Sequence, residues 1–197
     1  RDDLRVCLRD SSKAGQPFLL SIITVMKSPA AGFEKTYASV LREFGDYNDV
    51  EYLIKEWDAA TEWTESASVE GVHGLSIRKV HGKDSGVFDA MNQSIPAARG
   101  QWILFLNAGD WLAEGFGAKC LEFLKAHATC DFIYCDGVTV DVDDGREFLR
   151  RSPEQVQLND FLHHAPILHP CLLVKQSHLA QRLFDLRYDL AADYDLM

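Results

Sequence analysis

The chain has 197 residues, 47% apolar and 25% charged, enough for one domain with a real core and too few for two comfortable ones. Lys and Arg number 20 against 30 Asp and Glu, and the net charge of −10 argues against a nucleic-acid-binding surface, which would need a basic face. It leaves room for a bound diphosphate, because a metal ion supplies positive charge locally.

Residues 1–16 are polar and without period, and read as a leader or linker ahead of one domain over 17–197. The chain opens without Met and stops inside a helical pattern, so that domain is expected to be cut short at its carboxyl end. Residues 18–25 are continuously apolar, as in a strand covered on both faces of a parallel sheet. Phe33, Tyr37, Val40, Leu41 and Phe44 then share one helical face, closed by Gly45. A second strand is predicted over 52–55, ending at Glu56, and a third over 75–80.

The next stretch organises the rest. Val87, Phe88, Met91 and Ile95 form an apolar helical face, with Asp84 and Ser85 placed to cap it and Gly86 to allow the turn. Pro96 deletes the hydrogen bond to the Asn92 carbonyl, so this helix should kink or stop there. Residues 102–106 are a further buried strand, followed at once by Asn107-Ala108-Gly109-Asp110. Ligands of open α/β sheets bind outside the carboxyl ends of strands, which puts the Asp110 carboxylate in place for chemistry. Beyond it come a helix over 116–127 with Phe116, Cys120, Phe123 and Leu124 inward, and a strand over 132–135. Asp143-Asp144-Gly145 marks a hairpin between 138–142 and 147–149. A polar connection over 150–170, a strand over 171–174 and a helix from Ser177 complete the series.

Asp84-Ser85-Gly86-Val87-Phe88-Asp89-Ala90-Met91-Asn92, then Ala98-Arg99-Gly100 and Leu104-Phe105-Leu106-Asn107-Ala108-Gly109-Asp110, resembles the family 2 glycosyltransferases, in the branch that builds bacterial cell-surface polysaccharides. The resemblance implies the GT-A fold, an α/β domain with a mixed, mostly parallel sheet flanked by helices. It also implies inverting transfer of a sugar from a nucleotide-diphospho-sugar, a UDP-sugar by the habit of the branch, to a saccharide or lipid-linked acceptor. That would place the enzyme in the cytoplasm, at the inner face of the membrane, through a part beyond this chain.

Such a reaction must neutralise the departing diphosphate and take a proton from the acceptor hydroxyl. A Mg²⁺ or Mn²⁺ ion held by carboxylate and phosphate oxygens meets the first need. The family's D-x-D register falls here on Asn107-Ala108-Gly109, so Asp110 becomes the implied metal ligand, with helix capping as its alternative. His169, in a His-Pro pair, could complete that shell or be structural. The family's acidic base falls on Asp193, where an Ala precedes it in place of Glu; capping is again the alternative, and Asp195 reads as a solvated neighbour. Glu56 sits where the family contacts the nucleotide base, with Asp58 as a second candidate and Trp57-Asp58-Ala59-Ala60 replacing a glycine-rich loop. Asp84 is implied in nucleoside contact, and Asp89 and Asn92, on one helix face, in reaching the donor or orienting Asp110. Asn107 is placed with them on the donor side, and Trp111 either stacks on a sugar or packs.

Three other readings compete. The altered loop after Glu56 and the missing D-x-D carboxylates motivate a non-catalytic nucleotide-sugar-binding or scaffolding domain. A nicotinamide-dependent enzyme needs a glycine-rich turn after the first strand, and residues 26–31 contain no glycine. His163 and His164 with Cys171 match no common zinc spacing. Five cysteines without a CxxC pair fit a reduced compartment, and no apolar run reaches the ~20 residues that span a bilayer.

Overall fold

The computed structural model describes residues 18–27, 30–57, 64–65, 74–157, 160, 165–188 and 191–193. The leader, Asp58, His163, His164 and Asp195 lie outside the described residues.

The apolar runs become the middle of a seven-stranded sheet. Strands β1 (Leu20–Lys27), β2 (Val50–Trp57), β3 (Thr64–Glu65), β4 (Ser76–His81), β5 (Trp102–Phe105), β6 (Phe132–Tyr134) and β9 (Leu172–Lys175) lie in the order β3-β4-β2-β1-β5-β9-β6. β4, β2, β1 and β5 are mutually parallel, while β3 and β9 run against their neighbours. The chain steps outward from β1 through β2 to β4 and then returns to place β5 on the other side of β1. That reversal is the topological switch point, and it opens a crevice at the carboxyl ends of β1 and β5. A separate hairpin pairs β7 (Gly137–Val140) with β8 (Glu147–Arg150), and Gly145 at φ 72° closes its turn.

Alternation along the buried strands divides the core in two. Leu20, Ile22, Tyr52, Ile54, Trp102 and Leu104 meet helices α1 (Phe33–Phe44) and α3 (Phe116–Ala126). Ile23, Leu53, Val80, Ile103 and Phe105 meet α2 (Val87–Ser94) and the carboxyl-terminal segment through Ile167, Leu179, Phe184 and Ala192. The one-turn α4 (Gln176–Leu179) follows β9. No helix among the described residues is long and apolar enough to cross a membrane.

Pro96 acts as expected: α2 stops at Ser94 and tightens into a 3₁₀ turn over Ile95–Ala97. Two sequence expectations need correction. On α3, Leu121 is buried and Phe123 is 50% exposed, stacked instead on His127 at 4.0 Å. The sheet covers only one side of that helix, and Phe123 falls at its margin. Val87, the first residue of α2 and expected on its inner face, is 43% exposed.

Beneath α2 the sheet buries an ion pair that periodicity does not announce. Glu51 accepts from Arg78 Nη2 at 2.8 Å, from Ser21 Oγ at 2.5 Å and from the Arg99 amide at 2.5 Å. Arg78 Nε adds a fourth bond at 3.2 Å, so two donors meet each carboxylate oxygen, which offsets its desolvation. Arg99 itself, expected as a solvated helix-end charge, contributes its backbone here and is exposed.

Candidate active site

The acidic turn after β5 is held from behind by α1. Thr36, fully buried, donates from Oγ1 to the Asp110 carbonyl at 2.6 Å and accepts from the Gly109 amide at 2.9 Å. One turn on, Ser39 Oγ accepts from the Leu112 amide at 3.1 Å, and Arg42 Nη2 donates to the Leu112 carbonyl at 2.6 Å. Glu43 accepts from the amides of Gly115 and Gly117 at 3.3 and 2.9 Å, capping the start of α3. Those amide bonds and Arg42 hold its carboxyl below the usual range, although burial alone would raise it. The backbones touch as well: a Cβ on Gly32 (φ 78°) would lie 2.8 Å from Gly109 Cα. Sequence reasoning read only the apolar face of α1; Thr36, Ser39, Arg42 and Glu43 line the other side at helical spacing and were missed.

Asp110 itself makes no side-chain hydrogen bond or ion pair among the described residues. The residue is exposed, yet protein around its carboxyl raises its pKa by desolvation. Asn107 Oδ1 is buried with no hydrogen-bond partner among the described residues, an acceptor lacking a donor there. Trp111 is 37% exposed, with Lys35 Nζ over its ring at 3.0 Å from the centroid.

The nucleotide-side candidates cluster at the ends of β2 and β4. Lys55 is fully buried and spends its ammonium on the Gly82 carbonyl at 2.6 Å, Asp84 Oδ2 at 3.2 Å and the Glu56 carbonyl at 3.4 Å. Asp84 therefore faces a buried cation and does not cap α2, which has no side-chain cap. Glu56 lies 3.4 Å from His81 Nδ1 and 3.5 Å from Lys79 Nζ. Lys27, the basic residue ending β1, sits over the Trp57 ring at 5.4 Å. Asp89 reaches back to accept from the Ser85 amide at 2.7 Å and its hydroxyl at 2.9 Å, the reverse of the expected cap. Burial works to raise the Asp89 pKa, but these bonds, with Gln93 and Lys55, bring it below the usual range. Asn92 gives both amide atoms to Phe184, donating to its carbonyl and accepting from its amide, each at 2.9 Å. It ties α2 to the carboxyl-terminal segment and does not orient Asp110.

That segment carries His169 and Asp193 to the same edge. His169 stacks on Phe105, the last residue of β5, at 5.8 Å and meets Phe184 edge-on at 5.7 Å. Burial lowers its pKa, and the opposing charge of Asp193 does not restore it, so the ring is neutral near pH 7. Cys171, two residues on, feels the charges of both Asp110 and Asp136, although its thiol is raised chiefly by its hydrogen bond to Cys135. His169 and Cys171 are the two ends of one short 3₁₀ turn. Among the described residues no three His, Cys, Asp or Glu side chains form a cage for a metal ion. The donors present are one uncompensated hard carboxylate and one neutral imidazole, which fit a divalent cation whose remaining ligands come from phosphate oxygens. Cys120, Cys130, Cys135 and Cys171 are free thiols.

Known proteins share this architecture. A curated relative in Mycobacterium bovis, named PGL/p-HBAD biosynthesis glycosyltransferase, is 31% identical over 114 residues, 57% of this chain and 42% of that protein. The chain thus spans less than half the length of the curated relatives it matches. Among solved structures, S. aureus TarS superposes with a TM-score of 0.62 at 13% identity, over 88% of this chain and 52% of that one. Its complex with UDP gives 0.58 at 15% identity, over 90% and 53%. The mannosyltransferase PcManGT from Pyrobaculum calidifontis, solved with GDP-Man and Mn²⁺, gives 0.57 at 14% identity, over 98% and 59%. The sequence profile described as Glycosyl transferase family 2 matches residues 21–182, and the chain, with the GT-A fold of its structural neighbours, belongs to that glycosyltransferase family.

Proposed function

We propose that this chain is the catalytic domain of an inverting glycosyltransferase that moves a sugar from a UDP-sugar to a saccharide or lipid-linked acceptor in surface polysaccharide synthesis. The reading is supported by the place of Asp110 just past the carboxyl end of β5 and by the stacking of His169 on Phe105, the last residue of that strand, at the switch-point edge of the sheet. A divalent cation, Mg²⁺ or Mn²⁺, would be held by Asp110 with His169 beside it, and supplies charge neutralisation for the leaving diphosphate. The UDP and the GDP-Man with Mn²⁺ in the structural neighbours support a nucleotide donor and a metal.

The chain's own residues do the rest. Glu56 and Asp84, each steadied by a cation, present carboxylate oxygens to the base and ribose, with Asp58 beside them in sequence. Asp89 shapes the loop that carries Asp84, and Asn107 Oδ1 accepts from a sugar hydroxyl. Asn92 fixes the segment that brings Asp193 in. Asp193 takes the proton from the acceptor hydroxyl as that oxygen attacks the anomeric carbon from the face opposite the diphosphate. The setting is the cytoplasmic face of the membrane, reached through a part of the protein outside this chain.

Sugar transfer and UDP binding separate the roles. Asp193→Asn should lower transfer by about 10²-fold or more, the usual worth of a general base, and leave UDP–Mn²⁺ binding intact. Transfer at the wild-type rate would remove Asp193 as the base. Binding without turnover in the unaltered protein would favour the non-catalytic domain.

A further inference from the structure

The chain between β6 and β9 carries the β7–β8 hairpin, the polar connection and the turn that presents His169. Val138 and Leu149, paired across the hairpin, are 52% and 56% exposed, so the hairpin buries little against the rest of the protein. The two ends of this segment nevertheless return to one place. Phe132, Ile133 and Tyr134 pair antiparallel with Val174, Leu173 and Leu172, and the same register sets Cys135 opposite Cys171 one step on. The Cys135 amide continues the ladder, donating to the Cys171 carbonyl at 3.1 Å.

That register brings two thiols together. Opposed residues of antiparallel strands point to one face with Cα atoms about 4.5–5.5 Å apart, inside the roughly 4.4–6.8 Å that a disulfide spans. The Cys135 and Cys171 thiols are hydrogen-bonded to each other, and Cys135 Sγ lies 3.7 Å from the Cys171 carbonyl. Both are free and only half-buried, which leaves them open to a small reagent. Cys171 Sγ is fixed from the far side, since a Cβ on Gly137 would come within 2.6 Å of it. Ser152 anchors the other end, its hydroxyl donating to the Cys135 carbonyl at 2.9 Å and its amide to Asp136 Oδ1 at 2.8 Å. Cysteines that only fill space behave as small apolar side chains inside a core, as Cys120 does on α3.

We infer that Cys135 and Cys171 form a reversible disulfide, a clamp that joins the two ends of the segment carrying the hairpin and the His169 turn and closes under oxidising conditions. The oxidant is a small-molecule disulfide, RSSR. One cysteine thiolate attacks it, forming a mixed disulfide and expelling RS⁻, which takes up the proton that the thiol gave away. The second cysteine, as its thiolate, attacks the protein sulfur of that mixed disulfide, forming the Cys135–Cys171 bond and releasing a second RSH. The two cysteines are oxidised and RSSR is reduced to two RSH. In a reduced compartment the thiols stand free and the bond is transient. The crosslink stabilises by removing chain entropy from a segment with little core of its own, and it does not depend on the sugar-transfer reading.

The test equilibrates the native chain with glutathione at a rising oxidised fraction, quenches with acid, alkylates the remaining thiols and maps the peptides by mass. The oxidised chain should be lighter by two hydrogens, with the Cys135 and Cys171 peptides linked. It should melt about 5 °C or more above the reduced chain, and dithiothreitol should reverse both changes. Cys171→Ser should replace the link with a glutathione adduct on Cys135, whereas Cys130→Ser, at an exposed thiol outside the pair, should leave link and melting rise as they are. The link and the melt are read on the unaltered chain, so a misfolded Cys171→Ser would not shield the inference. Thiols that stay reduced, glutathione adducts without the link, a link to Cys120 or Cys130 instead, or a linked chain that melts no higher would overturn it.

Discussion

Asp110 is a residue whose folded environment works against its own charge. Its folded pKa lies above that of the unfolded chain, so in the window between the two the folded state binds more protons. Stability from this group is fully present below the unfolded carboxyl value, about 3.9, and is lost as pH rises through the folded value. Without metal, Asp110→Asn should therefore raise the melting temperature slightly near neutral pH and give no gain at about pH 3; thermal melts at the two pH values check it. The gain should be small because the residue is exposed and solvent screens much of the penalty. Thr36 behaves in the opposite sense, as a buried hydroxyl fully used on the turn. Thr36→Val leaves the Gly109 amide and Asp110 carbonyl without their partner and should cost about 1–3 kcal/mol in urea unfolding, whereas Thr36→Ser keeps the hydroxyl and should cost under about 1 kcal/mol.

At the scale of elements, α1 acts as a two-sided part. Phe33, Tyr37, Val40 and Phe44 pack on the sheet, while Thr36, Ser39, Arg42 and Glu43 hold residues 109–117. The first side was legible because apolar residues at helical spacing have one physical meaning. The second was not, because its partners are backbone groups some 70 residues away and no local pattern encodes them. The same limit applies to β3, two residues long and paired only through β4, and to Glu51–Arg78, whose burial depends on three strands meeting. Glycines give a sharper test of how the elements meet. Gly32 and Gly115 each precede a helix at nearly the same φ, 78° and 77°, but only Gly32 abuts another backbone. Gly115→Ala should cost about 1 kcal/mol from left-handed strain alone. Gly32→Ala should add overpacking against Gly109 and exceed it by about 1 kcal/mol or more, readable in the same unfolding series.

At the scale of the whole molecule, one sheet carries a layer on each face, and the two layers do different work. One layer, α1 and α3, fixes the acidic turn; the other, α2 and the carboxyl-terminal segment, supplies His169 and Asp193. Asn92 joins α2 to that second layer through both hydrogen bonds to Phe184. The mostly parallel character of the sheet was legible, since continuous apolar runs alternating with helical patterns demand it, but the order of the strands was not. The insertion of β9 antiparallel between β5 and β6 was not, yet it is what delivers His169 to the end of β5. The site therefore depends on a long-range pairing, and its parts assemble only in the folded chain.

The most direct measurement is thermal stability with UDP, GDP or dTDP, each with Mn²⁺ or with chelator, for the unaltered chain and Asp110→Asn. A metal-dependent rise with UDP is expected in the unaltered chain, and in Asp110→Asn a slightly higher starting point with the metal-dependent rise much reduced. No rise with any nucleoside diphosphate at millimolar concentration, or a full metal-dependent rise in Asp110→Asn, would contradict that expectation.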